Sequence, residues 1–133
     1  MDRKRRNLSR EWIGAALLVV LLIGGVVTSL LMTRSHEAMA KTMEDAAWAA
    51  LSQNWSGAVE MVKAGEKDWQ SRWNLEAMVV DHRPMEEIDA LFRQLEVHGA
   101  LRETGEFAAA CQTLSARLRA IGNAQRLSWW NLM

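Results

Sequence analysis

Residues 12–33 read WIGAALLVVLLIGGVVTSLLMT, and none of these 22 residues is charged. As a helix rising about 1.5 Å per residue, the stretch covers about 33 Å, enough for a hydrocarbon core of about 30 Å. Ile13–Leu31 contributes 12 Ile, Leu or Val side chains. Each favours insertion by about 0.3–0.6 kcal/mol at the bilayer centre and by less near the ends. A buried helix of a soluble protein rarely runs this long without a charge, so the stretch reads as a transmembrane helix.

The flanks give an orientation. Arg3, Lys4, Arg5, Arg6 and Arg10 precede the segment, whereas only Arg34 and Lys41 follow closely. The positive-inside rule places residues 1–11 in the cytoplasm as a basic tail and residues 34–133 outside the cell. Trp12 stands where an interfacial aromatic anchor belongs. The rival reading is a signal peptide cleaved after Ala40, since Ala38-Met39-Ala40 has the small-x-small form. An uncleaved anchor fits better: the apolar run exceeds a signal core, and Arg34 and Glu37 precede the site.

Within the span, Gly24/Thr28 and Gly25/Ser29 form small-xxx-small pairs. Such faces let membrane helices approach closely, which makes these four residues the candidates for packing in the membrane and for weak homo-oligomerisation.

Beyond the span the remaining 100 residues suffice for one compact domain. Half of the whole chain is hydrophobic, so a core can form. The outer region holds 11 basic and 14 acidic side chains, a net charge of 11 − 14 = −3. An acidic surface is a poor match for phosphate, and no nucleic-acid partner is expected. Cys111 is the single cysteine, so no internal disulfide frames the fold. It falls on an apolar helical stripe and reads as a small core hydrophobe rather than an intermolecular link.

Helical periodicity dominates after Arg34, with no strand alternation. A first helix is expected from about Ser35, as N-cap, to Gln53, with Met39, Met43, Ala46, Ala47, Ala50 and Leu51 inward. No proline separates it from the span, so the two can also join. Asn54-Trp55-Ser56-Gly57 reads as a turn. A second helix follows from about Ser56 to Val80, with Trp55, Val59, Val62, Trp69, Trp73 and Val80 near one rhythm and Glu66 at its edge. Pro84 opens a third, to about Arg102, burying Ile88, Leu91, Phe92, Leu95 and Gly99. A fourth spans about Glu106–Ile121, with Phe107, Cys111, Leu114, Leu118 and Ile121 on one face and Gly122-Asn123 as its stop. Short loops favour antiparallel hairpins. The expected fold is therefore all-α: one transmembrane helix, then a small bundle of about four helices. Asn54-Trp55-Ser56-Gly57-Ala58 suggests tetratricopeptide-like pairing, though the full 34-residue pattern is absent.

Several of these features together resemble a family of small membrane-anchored proteins of Gram-positive, often spore-forming bacteria: domain of unknown function 4363. They are the N-terminal anchor, Asn54-Trp55-Ser56-Gly57-Ala58-Val59 at the first turn, and Trp69 and Trp73 ahead of Asp81-His82. Glu87-Ile88-Asp89 and the ending Leu127-Ser128-Trp129-Trp130-Asn131-Leu132 complete the set. This chain departs from the family in its richness in Trp, Ala and Met. The resemblance implies a class of bacterial envelope protein and leaves its function open.

Catalytic signals are sparse. His36, His82 and His98 fall in different segments, and neither His-x-x-x-His nor Cys-x-x-Cys occurs. Asp81-His82 has the form of a general-base pair, but a histidine at a helix C-terminus more simply meets the last carbonyls. No catalytic, cofactor-binding or metal-ligating residues are assigned, and no enzyme is expected. Trp48, Trp55, Trp69 and Trp73 are expected to fill the interface of the first two helices. Trp129 and Trp130 either plug the bundle end or form an exposed surface that grips a partner or the lipid leaflet. The leading expectation is a non-enzymatic interaction module for another envelope or integral membrane protein. The alternative is a ligand-sensing domain with a Trp-lined groove accepting an apolar or carbohydrate ligand.

Overall fold

A computed structural model describes the backbone of residues 2–76 and 82–130 and the side chains of residues 11–73 and 83–124. Four helices account for it: α1, Asp2–Leu51; α2, Trp55–Glu76; α3, His82–Leu101; and α4, Thr104–Trp130. Among the described residues there is no strand. The chain divides into two compact units, Met1–Met32 and Thr33–Met133.

The first unit is helix alone. It is long and apolar enough to cross a membrane, and no residue from 11 to 35 is buried. Trp12 and Leu21 expose about three-quarters of their surface, 75% and 73%. Helical backbone suits lipid because every amide is bonded within the segment. The polar side chain of Thr28 is met the same way: its hydroxyl donates to the Gly24 carbonyl at 2.8 Å. Gly24 has open space where a side chain would stand.

The expected N-cap at Ser35 does not occur, because α1 is unbroken there. Thr33-Arg34-Ser35 contains neither Pro nor Gly. Residues of this kind cost only tenths of a kcal/mol inside a helix, too little to stop one.

The second unit is an antiparallel bundle. Met39, Met43, Ala46, Ala47 and Ala50 are buried as expected, and Ala40 joins them. Leu51 does not: it is half exposed at the helix end. Val62 and Trp69 of α2, Ile88, Phe92 and Leu95 of α3, and Phe107, Cys111, Leu114, Leu118 and Ile121 of α4 complete the core, together with Met85, which lies one turn before Ile88. Val80 lies outside the described residues. Trp55 meets Phe107 edge-on at 5.5 Å. A side chain at Gly99 would touch Phe107 and Val59 at 3.4 and 3.5 Å. These contacts bring the starts of α2 and α4 and the end of α3 together at one end of the bundle.

Both connections at that end use the same device. At the end of α1, the Asn54 N–H donates to Ala49 O at 2.8 Å and the Gln53 N–H to Ala50 O at 3.0 Å. At the end of α3, the Glu103 N–H donates to His98 O at 3.0 Å and the Arg102 N–H to Gly99 O at 3.3 Å. Each pair is a Schellman closure, with Gln53 (φ 63°) and Arg102 (φ 54°) in the left-handed position. Asn54 is therefore less a free turn than a double cap. It ends α1 and, through Oδ1, accepts the Gly57 N–H at 3.1 Å to begin α2.

α3 starts at His82 rather than Pro84, which puts the proline inside the first turn, where its missing N–H costs nothing. The expected stop at Gly122-Asn123 is overturned: α4 continues to Trp130. Gly122 is buried, and a Cβ there would lie 3.4 Å from His36 Cβ and 3.9 Å from Thr33 Cα. The glycine lets α4 approach α1 closely; it does not end the helix.

Candidate functional site

Two polar ridges face one another across α2 and α3. On α2, Glu66, Gln70 and Trp73 are spaced i, i+4, i+7, which places them on one side of the helix; on α3, Asp89 and Arg93 are spaced i, i+4. Together they line an open groove of about 330 Å³. Trp69, a fully buried neighbour of the lining residues, donates its indole N–H to Asp89 Oδ1 at 2.8 Å. That bond spans the two helices, satisfies a buried donor, and fixes one carboxylate oxygen of Asp89. Trp73 stands edge-on to Trp69 at 6.3 Å and is partly buried. Gln70 Nε2 donates to Glu66 Oε1 at 3.4 Å. Arg93 is exposed and makes no ion pair with a described residue. On the neighbouring side of α2, Arg72 is drawn away to Asp68 at 3.0 Å.

A second constellation ties α1 to α4. Arg119 donates from Nε to both oxygens of Glu37 at 3.1 Å and from Nη2 to Oε1 at 2.9 Å. Its Nη1 meets Glu44 Oε1 and the Ser115 hydroxyl, and Ser115 in turn donates to Glu44 at 3.0 Å. Hydrogen bonds from Arg119 hold the carboxyls of Glu37 and Glu44 below the usual carboxylate range. Those same bonds raise the guanidinium further. Every member is engaged by another, so the cluster is a clasp between helices.

Burial pushes the Cys111 thiol up to about 12. It is neutral at physiological pH and enclosed by core, which makes it inert as a nucleophile. His98 Nδ1 is engaged with Glu103 at 2.7 Å. Among the described residues, no three His, Cys, Asp or Glu side chains come together as a metal cluster.

The expected tryptophan interface is redistributed. Trp69 is core, Trp55 and Trp73 pack at its margin, and Trp48 is 66% exposed. Trp48 lies on the side of α1 away from Ala46, Ala47 and Ala50. Asp81 and the side chains of His82, Trp129 and Trp130 lie outside the described residues. In the apolar segment, Gly25 and Ser29 are partly covered and Gly24 and Thr28 exposed. Sequence reasoning singled out neither the groove's Gln70 and Arg93 nor Arg119. The available signals were the polar pair Glu66/Gln70 beside a Trp stripe, and the matched spacings Glu37/Glu44 and Ser115/Arg119.

Comparison with known proteins gives one assignment. The family described as Domain of unknown function (DUF4363) matches residues 26–132. The chain belongs to that family, which covers the end of the apolar segment and the whole helical bundle. No curated protein and no solved structure matches it.

Proposed function

We propose that this chain is a non-enzymatic, single-span membrane protein that holds its helical bundle outside the cell as an interaction module for another envelope protein. The observation that carries the reading is the first unit: a helix with apolar side chains all round and none of them buried from residue 11 to residue 31. Such a surface is stable in lipid and not in water. The basic residues of the N-terminal tail support a cytoplasmic N-terminus.

Two further features support an interaction role over catalysis. The lone thiol is buried and neutral, and the ionic clasp is saturated within itself. Large apolar side chains are left exposed near the connected ends of α1 and α3: Trp48 and Leu51, and Val97 and Leu101.

The test has two readouts. A cysteine introduced at exposed Ser52, in a Cys111→Ala background, is expected to react with a membrane-impermeant maleimide in intact cells. Labelling only after permeabilisation reverses the orientation. A photo-crosslinking residue at Trp48 or Leu101 is expected to yield a discrete adduct with one envelope protein, with none from the polar control position Lys67. Equal, diffuse crosslinking from all three positions refutes the module.

A further inference from the structure

We propose that the groove between α2 and α3 is a binding site for a neutral, polyhydroxylated ligand, a saccharide of one or two rings. The inference goes beyond anchoring and partner docking, and it rests on what lines the groove.

The groove offers four hydrogen-bonding side chains and one aromatic surface. Glu66 and Asp89 are acceptors, Arg93 and Gln70 carry donors, and Trp73 is a partly buried indole. Asp89 is held in place by the buried Trp69 N–H on one oxygen, which leaves the other for a ligand. Trp73 is held by its edge-on contact with Trp69. Asp89 and Trp73 are thus both positioned by one core residue, the arrangement that gives a site its definition before a ligand arrives.

Other ligand chemistries fit less well. An apolar molecule would strip water from two carboxylates and a guanidinium without replacing their hydrogen bonds, which is costly. A phosphate or other anion would meet two carboxylates against one Arg. A metal ion lacks a third ligand among the described residues. A cationic amine would suit the indole and the carboxylates, but it brings only donors and would leave those of Arg93 and Gln70 without an acceptor. A sugar uses all five residues at once: its hydroxyls both donate and accept, so they pair with carboxylates and with Arg and Gln alike, and its C–H face lies on an indole. A groove of about 330 Å³ sits at the small end of ligand sites.

The experiment uses the full chain in polyoxyethylene micelles, which carry no sugar head group, with 15N-labelled indoles and the Trp73 signal assigned through Trp73→Phe. The probes are the N-acetylglucosamine disaccharide and maltose, with choline chloride and sodium phosphate as controls. A saccharide is expected to shift the Trp73 indole resonance saturably. Gln70→Ala and Arg93→Ala, both at exposed positions, are each expected to weaken that binding about tenfold, the loss of one good hydrogen bond, with helicity unchanged. No saturable shift with either saccharide overturns the proposal. So does a shift that both variants leave intact, or a stronger response to choline or phosphate than to the sugars. Because the readout is binding in micelles, its failure leaves the topology untouched.

Discussion

Arg119 and Glu37 stand 82 residues apart in sequence and meet as a fork on a fork, with three N–O distances between 2.9 and 3.1 Å. Glu44, two turns along α1 from Glu37, closes on the same guanidinium. Both carboxyls are held below their ordinary value of 4.5. A depressed carboxyl stabilises the folded state above the unfolded value and loses that contribution as pH falls through the folded one. Arg119→Gln is therefore expected to lower the melting temperature of the bundle at neutral pH and to converge with the parent chain in acid. A gap that stays constant from about pH 7 to about pH 3 would show that the clasp contributes through packing alone.

The Trp69–Asp89 bond makes a separate demand. Asp89→Ala leaves a fully buried indole N–H without its acceptor, at an expected cost of about 1–3 kcal/mol. Asp89→Asn keeps an oxygen in place and should lose less than half as much. Urea midpoints of the two variants decide it, and equal losses would mean that charge rather than the hydrogen bond matters.

Gly122 and Gly65 both face α1, and their tolerances differ. At Gly122 a Cβ would sit in ordinary contact with His36, 3.4 Å from its Cβ. Alanine gains about 1 kcal/mol in helix propensity, so Gly122→Ala is expected to be neutral or stabilising. Gly122→Leu should destabilise by about 1–3 kcal/mol through overpacking. At Gly65 a Cβ would come within 2.6 Å of Met43 Cε, the end of a flexible chain that can swing aside. Gly65→Ala should therefore stay within about 1 kcal/mol of the parent. Thermal unfolding followed by far-ultraviolet circular dichroism measures all three.

Cys111 should behave as a reporter of unfolding. With its thiol pushed up to about 12 and its side chain enclosed, it is expected to resist maleimide in the native state and react fully in denaturant. Rapid labelling of the native chain would mean that α4 opens far more readily than its packing implies.

What the sequence disclosed divides along the reach of each physical signal. The α4 stripe Phe107, Cys111, Leu114, Leu118 and Ile121 is buried throughout, because one helix face against one core is a purely local pattern. The apolar segment was equally legible, since length and the lack of charge are enough. Gly122 was misread because glycine has two uses, ending a helix or admitting a neighbour, and only the position of α1 separates them. Trp48 was misplaced because hydrophobicity suggested burial, whereas its angular position opposite Ala46, Ala47 and Ala50 points away from the core. The groove and the clasp were out of reach for a common reason. Each needs the register between two helices, Trp69 opposite Asp89 in one and Glu37 opposite Arg119 in the other, and no single stretch of chain encodes that.

The paired closures at Gln53 and Arg102 have a consequence for how far the fold can be improved. Each holds a residue bearing a Cβ at a positive φ, a conformation costing about 1–2 kcal/mol relative to the ordinary helical basin and free to glycine. Part of that saving returns as greater freedom of the unfolded chain, so Gln53→Gly and Arg102→Gly should each add some tenths to about 1 kcal/mol. The two sites sit on separate hairpins, so the increments should sum. Natural selection has left this bundle below its attainable ceiling at these two turns of the chain.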